Sequence, residues 1–134
     1  MTDKNAWRLR SIPGVGPITA SAIAATIGDG KQFKSGRDFA AWLGLTPLNH
    51  SSGGKERLGR ISKKGDGYIR RLLVLGVTSR LQKVKSDPEA LDPWARKILE
   101  RKPTRVATVA MANKTARIIW AILARGTDYR RVAP

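Results

Sequence analysis

Apolar residues along the chain recur mostly at the three- and four-residue spacing of helices. The longest such pattern predicts a helix from about 66 to 85, with Asp66 as its N-cap and several arginines on its polar side. Another long pattern opens at Lys102-Pro103 and continues to about 124, where Gly126 closes it. No segment has the strict alternation of a half-buried strand. The pattern therefore predicts an all-α fold.

Shorter helices are predicted around a glycine turn near the amino terminus. The turn runs from Ser11 to Gly16 and separates a helix that begins near Trp7 from a small-residue helix over 18–27. Pro17 suits the first turn of the second helix, and the glycines allow positive φ angles in the turn. These features predict a helix-hairpin-helix element over about 7–28.

The middle of the chain contains one short helix and one long loop. Ser35 and Asp38 resemble a capping box, which predicts a third helix that ends near Gly44. From about 46 to 65, glycines alternate with basic residues, so this stretch is predicted to be a long, basic, glycine-rich loop. Loops of that length inside a compact domain are usually functional or disordered.

The carboxyl-terminal half is predicted to be helical from about 66 to 125. Between its two long helices, Asp87-Pro88 predicts the N-cap and first residue of a further helix that runs to Arg101. Three tryptophans lie on apolar helix faces and are predicted to be core residues rather than base-stacking platforms: Trp42, Trp94 and Trp120.

Length and charge narrow the class of protein. The 134 residues fit a single compact domain over 1–134. Lysine and arginine total 26 against 10 acidic residues, which gives a formal charge of +16 and predicts a polyanionic partner. No uninterrupted run of about 18 apolar residues occurs, so nucleic acid is favoured over a membrane.

The residue types that are missing also exclude some classes of site. The chain has no cysteine and one histidine, His50, which excludes disulfide frameworks and zinc fingers. The acidic residues are scattered along the chain, so no metal-binding cluster is predicted. The first residues do not resemble a secretory signal, and the expected location is the bacterial cytoplasm.

The glycine turn is the first candidate for nucleic-acid binding. Gly14, Val15 and Gly16 precede a helix, so their backbone N–H groups and the helix N-terminus could hold a phosphate without reading any base. The alternative is a plain turn between packed helices, with Ile12 and Val15 in the core.

The basic loop is the second candidate. A serine hydroxyl beside flexible glycines, among cations that stabilise phosphate oxygens, has the groups that attack on a phosphodiester requires. Ser51 and Ser52 are the candidate nucleophiles, and His50 is a candidate base that is more often a bystander in such loops. From the residues alone, a basic loop that only grips phosphate is the stronger alternative. The candidate phosphate-binding cations are Lys55, Arg57, Arg60, Lys63 and Arg70.

The order of these motifs resembles the carboxyl-terminal domain of the insertion-sequence transposases of the one-ten and eleven-eleven groups, the RNA-guided recombinases. The resemblance covers about residues 9–129. The matching motifs stand at Ile12–Gly16, Phe33 with Ser35, Gly44–Pro47, Ser51–Gly53, Ile61–Gly65 and Ile69-Arg70, where the family usually has Leu-Arg.

The resemblance implies a serine that attacks DNA and forms a phosphoserine during recombination. Ser52 is the candidate because it directly precedes the glycine of the Ser-Gly motif, with Ser51 as the fallback. The family also implies guide RNA, a homo-oligomer, and a separate RNase-H-like domain whose acidic residues hold magnesium. On this interpretation the chain is a fragment that is inactive alone.

A second hypothesis belongs to another functional class. The chain could be a non-catalytic helix-hairpin-helix module that docks on DNA or structured RNA. Both hypotheses use the same basic residues, but only the recombinase requires the paired serines.

Overall fold

The computed structural model describes residues 4–45 and 63–127, with the backbone alone over 63–66. The described part is helical and contains no strand, which confirms the predicted all-α class. Its six helices are α1 (Lys4–Arg10), α2 (Pro17–Ile27), α3 (Gly36–Trp42), α4 (Lys63–Ser86), α5 (Pro93–Arg101) and α6 (Thr104–Arg125).

Helices α1 and α2 pack against each other and are joined by the predicted glycine turn. Gly14 has a φ of +89°, so it needs the conformation that glycine adopts without strain. Gly16 has an ordinary φ of −86° as the N-cap of α2, and Pro17 occupies the first helical position as predicted. The prediction of positive φ is thus confirmed for Gly14 and wrong for Gly16.

Helix α3 begins and ends as its sequence predicts. The Ser35 hydroxyl accepts a hydrogen bond from the Asp38 N–H at 3.2 Å, which is the N-cap half of a capping box. After Trp42 the chain turns at Gly44, whose φ is +77°. Helix α6 ends in the same way at Gly126, which is left-handed and donates to the Ile122 carbonyl.

Helix α4 begins earlier than predicted. Its first residue is Lys63, so Asp66 lies within the helix and is not its N-cap. Acidic residues are favoured throughout the first turn of helices as well as at the N-cap, so this sequence signal does not fix the first helical residue. The predicted basic loop therefore stops before residue 63, and its remaining part, 46–62, lies outside the described residues.

Helix α5 also begins at a different residue from the one predicted. The chain contains two Asp-Pro pairs, and the helix starts at the second: Asp92 is the N-cap and accepts from the Ala95 N–H at 3.2 Å, with Pro93 next. The carboxylate of Asp87 instead accepts from the Glu89 N–H within a turn. Arg80 of α4 decides between the pairs, because its guanidinium binds both carboxylate oxygens of Asp92.

Replacing Asp92 by alanine is expected to destabilise the fold by about 2 to 3 kcal/mol. The change removes a helix cap, worth about 1 kcal/mol, and leaves the mostly buried Arg80 without its carboxylate. Asp87→Ala is the matched control and should cost well under 1 kcal/mol, since its carboxylate is exposed. Urea unfolding at neutral pH measures both; equal effects of the two substitutions would show that the Arg80–Asp92 pair does not anchor α5.

Helix α6 forms the centre of the core. It packs against α1, α3, α4 and α5 and buries eight residues along its length. By length and composition alone it is apolar enough to cross a membrane, yet 44% of that apolar stretch is buried against the other helices. Such burial is typical of a core helix in a folded domain.

The three tryptophans predicted as core residues pack against the buried cluster while remaining partly accessible. Trp120 donates its indole N–H to the Gly30 carbonyl at 2.9 Å. Trp94 lies between Arg80 and Lys114, whose charged groups are 4.9 and 4.6 Å from its ring centroid. Trp94 therefore helps to hold α5 against both α4 and α6.

Candidate nucleic-acid interface

The glycine turn is built partly from core residues. Ile12 and Val15 are almost fully buried, and the Val15 N–H donates to the Ile12 carbonyl at 3.0 Å. The side chain and N–H of Val15 are thus both used within the fold. If the turn holds a phosphate, the donors must come from Gly14, Gly16 or the first residues of α2.

Gly14 also lies close to the backbone of α4. A Cβ placed on Gly76, in the middle of α4, would lie 1.9 Å from the Gly14 carbonyl oxygen. The approach therefore requires a residue without a side chain at Gly76, whereas Gly14 is required by its positive φ, since a Cβ there would lie 3.5 Å from the Gly76 carbonyl oxygen. The contact fixes the turn and the start of α2 against α4, and it gives Gly14 a structural role that phosphate binding does not require.

The start of α2 nevertheless has the features of an anion site. Its N-cap is Gly16, which has no side chain to cap the first-turn N–H groups, and Pro17 follows. Ile18 is exposed at the same end, so a ligand can reach the backbone there. The N-terminus of an eleven-residue helix carries a partial positive charge that suits phosphate.

Arg70 is the predicted phosphate-binding cation whose side chain the structure describes. It lies on the exposed side of α4, next to the turn that follows α3. A Cβ on Gly44 would lie 2.7 Å from its Nη1 atom, so the guanidinium rests on the bare backbone of that glycine. Arg70 therefore stands where the chain leaves Leu45 and enters segment 46–62.

The other residues predicted for the loop are not placed by the structure. Lys63 lies in the first turn of α4, but only its backbone is described. The structure thus brings together Gly14 with α4, and Arg70 with the turn at Gly44. The candidates outside the described residues are His50, Ser51, Ser52, Lys55, Arg57 and Arg60.

A groove beside α6 was missed by the sequence analysis. It has a volume of about 640 Å³ and runs along one face of α6 to Leu45, whose carbonyl accepts a hydrogen bond from the Asn113 amide at 3.2 Å. The spacing of these α6 residues is helical, but no sequence signal places Leu45 across from them. The lining residues are Leu45, Lys102, Arg105, Val106, Val109, Ala110, Asn113 and Arg117.

The described residues do not fit a magnesium site of their own. Across 4–45 and 63–127, no group of three His, Asp or Glu side chains lies close enough together to hold a metal ion. Magnesium usually needs carboxylate ligands in addition to water or substrate phosphate. The magnesium implied by the resemblance is therefore not assigned to these residues.

Known proteins similar to the chain agree on its family. Residues 6–97 match the family described as Transposase IS116/IS110/IS902. The chain is 50% identical over 96% of its length to "Probable family 20 transposase" of Pseudomonas aeruginosa, of which it covers 38%. It is 43% identical over 96% of its length to the transposase for insertion sequence element IS1111A of Coxiella burnetii, of which it covers 35%.

The transposase for insertion sequence element IS1328 of Yersinia enterocolitica is also 43% identical over 96% of the chain, which covers 39% of that relative. The chain thus spans between a third and two-fifths of the length of these relatives. No solved structure matches it. Because the family match takes in the glycine turn, the Ser-Gly motif and Arg70, the chain belongs to the IS116/IS110/IS902 family of transposases.

Proposed function

We propose that the chain is the DNA-binding, serine-bearing part of a transposase that recombines insertion-sequence DNA. The observation that carries the proposal is the family match over residues 6–97, which includes every candidate site residue of the sequence analysis. A formal charge of +16 on 134 residues supports DNA as the partner. The place of action would be the bacterial cytoplasm, where the chromosome lies.

The proposed DNA contacts are made mainly to phosphates. The uncapped start of α2 offers backbone N–H groups, and the exposed Arg70 offers a guanidinium beside Gly44. Both kinds of donor bind phosphate oxygens without distinguishing bases. Sequence preference would therefore come from elsewhere in the protein, such as the guide RNA that the family resemblance implies.

The proposed chemistry is an exchange of phosphodiester bonds at Ser52. Its Oγ would attack a DNA phosphorus atom and form a phosphoserine, while the bond from phosphorus to one deoxyribose oxygen breaks. The serine proton passes to a base, and the departing sugar oxygen takes up a proton, so no oxidant or nucleotide is consumed. A second sugar hydroxyl then displaces the serine and restores it.

The rest of the reaction is proposed to need parts that lie outside this sequence. A second domain of RNase-H type would contribute the acidic residues that hold magnesium, and the whole protein would act as a homo-oligomer. The relatives that the chain matches are more than twice its length, which leaves room for such a domain. The 134-residue chain alone is expected to bind DNA without completing recombination.

Duplex DNA binding by the chain should depend steeply on salt and little on sequence. If six or more phosphates are contacted, the affinity should fall by about 10³ or more between roughly 50 and 200 mM salt. Fluorescence anisotropy with two unrelated duplexes of equal length measures both effects. An affinity that does not change with salt would contradict the electrostatic basis of the proposal.

A further inference from the structure

One face of α6 is both exposed and basic. Val106 and Val109 are 47% and 43% accessible, so they line an open groove and not the core. Three cations stand around these valines: Lys102, Arg105 and Arg117, all exposed. Lys102 immediately precedes α6, and from Arg105 to Arg117 the helix rises about 18 Å, which is the axial length of roughly five DNA base pairs.

The segment that contains α6 carries positively charged side chains without any acidic ones. From Arg101 to Thr127 the sequence contains six basic residues and no acidic one. The mostly buried Arg80, by contrast, is paired with Asp92. Among residues 4–45 and 63–127, no carboxylate is seen to form an ion pair with Lys102, Arg105 or Arg117.

The groove continues the surface to which Arg70 belongs. Leu45 lines the groove and is held to α6 by the Asn113 amide, while its neighbour Gly44 supports the Arg70 guanidinium. The turn at Gly44 and Leu45 therefore joins the exposed side of α4 to the exposed face of α6. A ligand lying across this turn would meet cations on both helices.

We propose that Lys102, Arg105 and Arg117 form a second line of phosphate contacts, which extends the DNA-binding surface from Arg70 across Leu45 onto α6. The inference rests on the proposed DNA-binding function and adds residues that the family motifs do not include. The sugar-phosphate backbone of duplex DNA is the occupant, because it presents a repeated negative charge over the length of the groove.

Other occupants fit the groove less well. A second copy of the chain carries the same charge of +16 and would be repelled. The lining residues include no aromatic ring, so an unpaired base has no stacking platform. An acidic amphipathic protein segment could cover Val106 and Val109. DNA is preferred as the occupant because the domain is already proposed to bind it through Arg70, next to the groove.

A matched pair of triple variants tests the proposal in the 134-residue chain. The groove variant is Lys102→Gln, Arg105→Gln and Arg117→Gln. The control variant changes three exposed lysines on other parts of the surface, Lys31, Lys83 and Lys97, to glutamine, so both lose the same charge. Affinity for one duplex of about 20 base pairs is measured from 50 to 200 mM salt.

The groove variant should lose at least ten-fold more affinity than the control near 100 mM salt. Its slope of log affinity against log salt should be shallower by roughly 2 to 3, since each phosphate contact contributes about 0.9. Equal slopes of log affinity against log salt for the two variants would overturn the proposal. An acidic protein segment would then be the better candidate to bind the groove. A wild-type chain without salt dependence would instead refute the proposed DNA-binding function itself.

A second measurement does not depend on how the variants fold. In the wild-type chain, DNA should protect Lys102 from acetylation by a water-soluble ester, while Lys31, which lies between α2 and α3, stays reactive. Peptide mass spectrometry compares the two lysines with and without DNA. Equal reactivity of Lys102 in both samples, under conditions where the DNA is bound, would contradict the inference.

Discussion

Replacing Gly76 by alanine is expected to lower the free energy of unfolding by about 3 kcal/mol and the Tm by roughly 10 °C. The new methyl group would lie 1.9 Å from the Gly14 carbonyl oxygen, well inside contact distance. That oxygen belongs to backbone in a turn held by Ile12 and Val15, both buried, so it cannot move away without disturbing the core. The intrinsic preference of alanine for helices recovers at most about 1 kcal/mol.

Gly67→Ala on the same helix is the matched control. A Cβ at Gly67 would meet only the far end of the Arg71 side chain, at 3.9 Å. The substitution should therefore leave stability unchanged or raise it by up to about 1 kcal/mol. Thermal and urea unfolding of both variants measure the difference. Similar stabilities for the two would mean that the turn does not rest on α4 as described.

Helix ends that depend on local chemistry could be predicted from the sequence. Pro17 at the start of α2, Ser35 at the start of α3 and Gly126 at the end of α6 each act through the backbone of residues nearby. Such signals are contained within one helical turn. This locality explains why these three boundaries are as predicted.

The start of α5 could not be predicted in the same way. Asp87-Pro88 and Asp92-Pro93 have the same local signal, and both carboxylates do accept backbone N–H groups. The choice depends on Arg80, twelve residues before Asp92, which binds the second carboxylate. A contact between helices thus determines which of the two Asp-Pro pairs starts α5.

In the candidate site too, features that depend on neighbouring residues could be predicted, whereas contacts between residues distant in sequence could not. The sequence singled out Gly14 for its turn and for phosphate binding, whereas its contact with Gly76 spans more than sixty residues and is invisible in any motif. The α6 groove was missed for the same reason, because Leu45 and Asn113 meet only in the folded chain. The Ser-Gly motif was identified from the sequence, and its role stays a prediction.

Replacing Ser52 by alanine is expected to abolish recombination while leaving DNA binding nearly intact. Loss of a nucleophile usually lowers the rate by a factor on the order of 10³ or more. One neutral hydrogen bond contributes about 1 kcal/mol, so DNA affinity should fall less than about five-fold. Recombination is measured in a full-length transposase that contains this sequence, and affinity is measured in the same protein.

Ser51→Ala is the control for this substitution, because it removes the hydroxyl of the neighbouring residue. Recombination should continue in the Ser51 variant. If activity is lost only in the Ser51 variant, the fallback nucleophile is the correct one. If both variants recombine normally, the chain acts as the non-catalytic docking module of the second hypothesis.

The phosphoserine itself is the most direct test of the recombinase account. The full transposase is incubated with DNA that carries the ends of its insertion sequence, the reaction is stopped with denaturant, and protein covalently joined to DNA is isolated. Digestion with nuclease and protease, followed by mass spectrometry, locates the modified residue. The account predicts a nucleotide joined through phosphate to the Oγ atom of Ser52. A nucleotide on any other residue, or recombination without a covalent adduct, would contradict it.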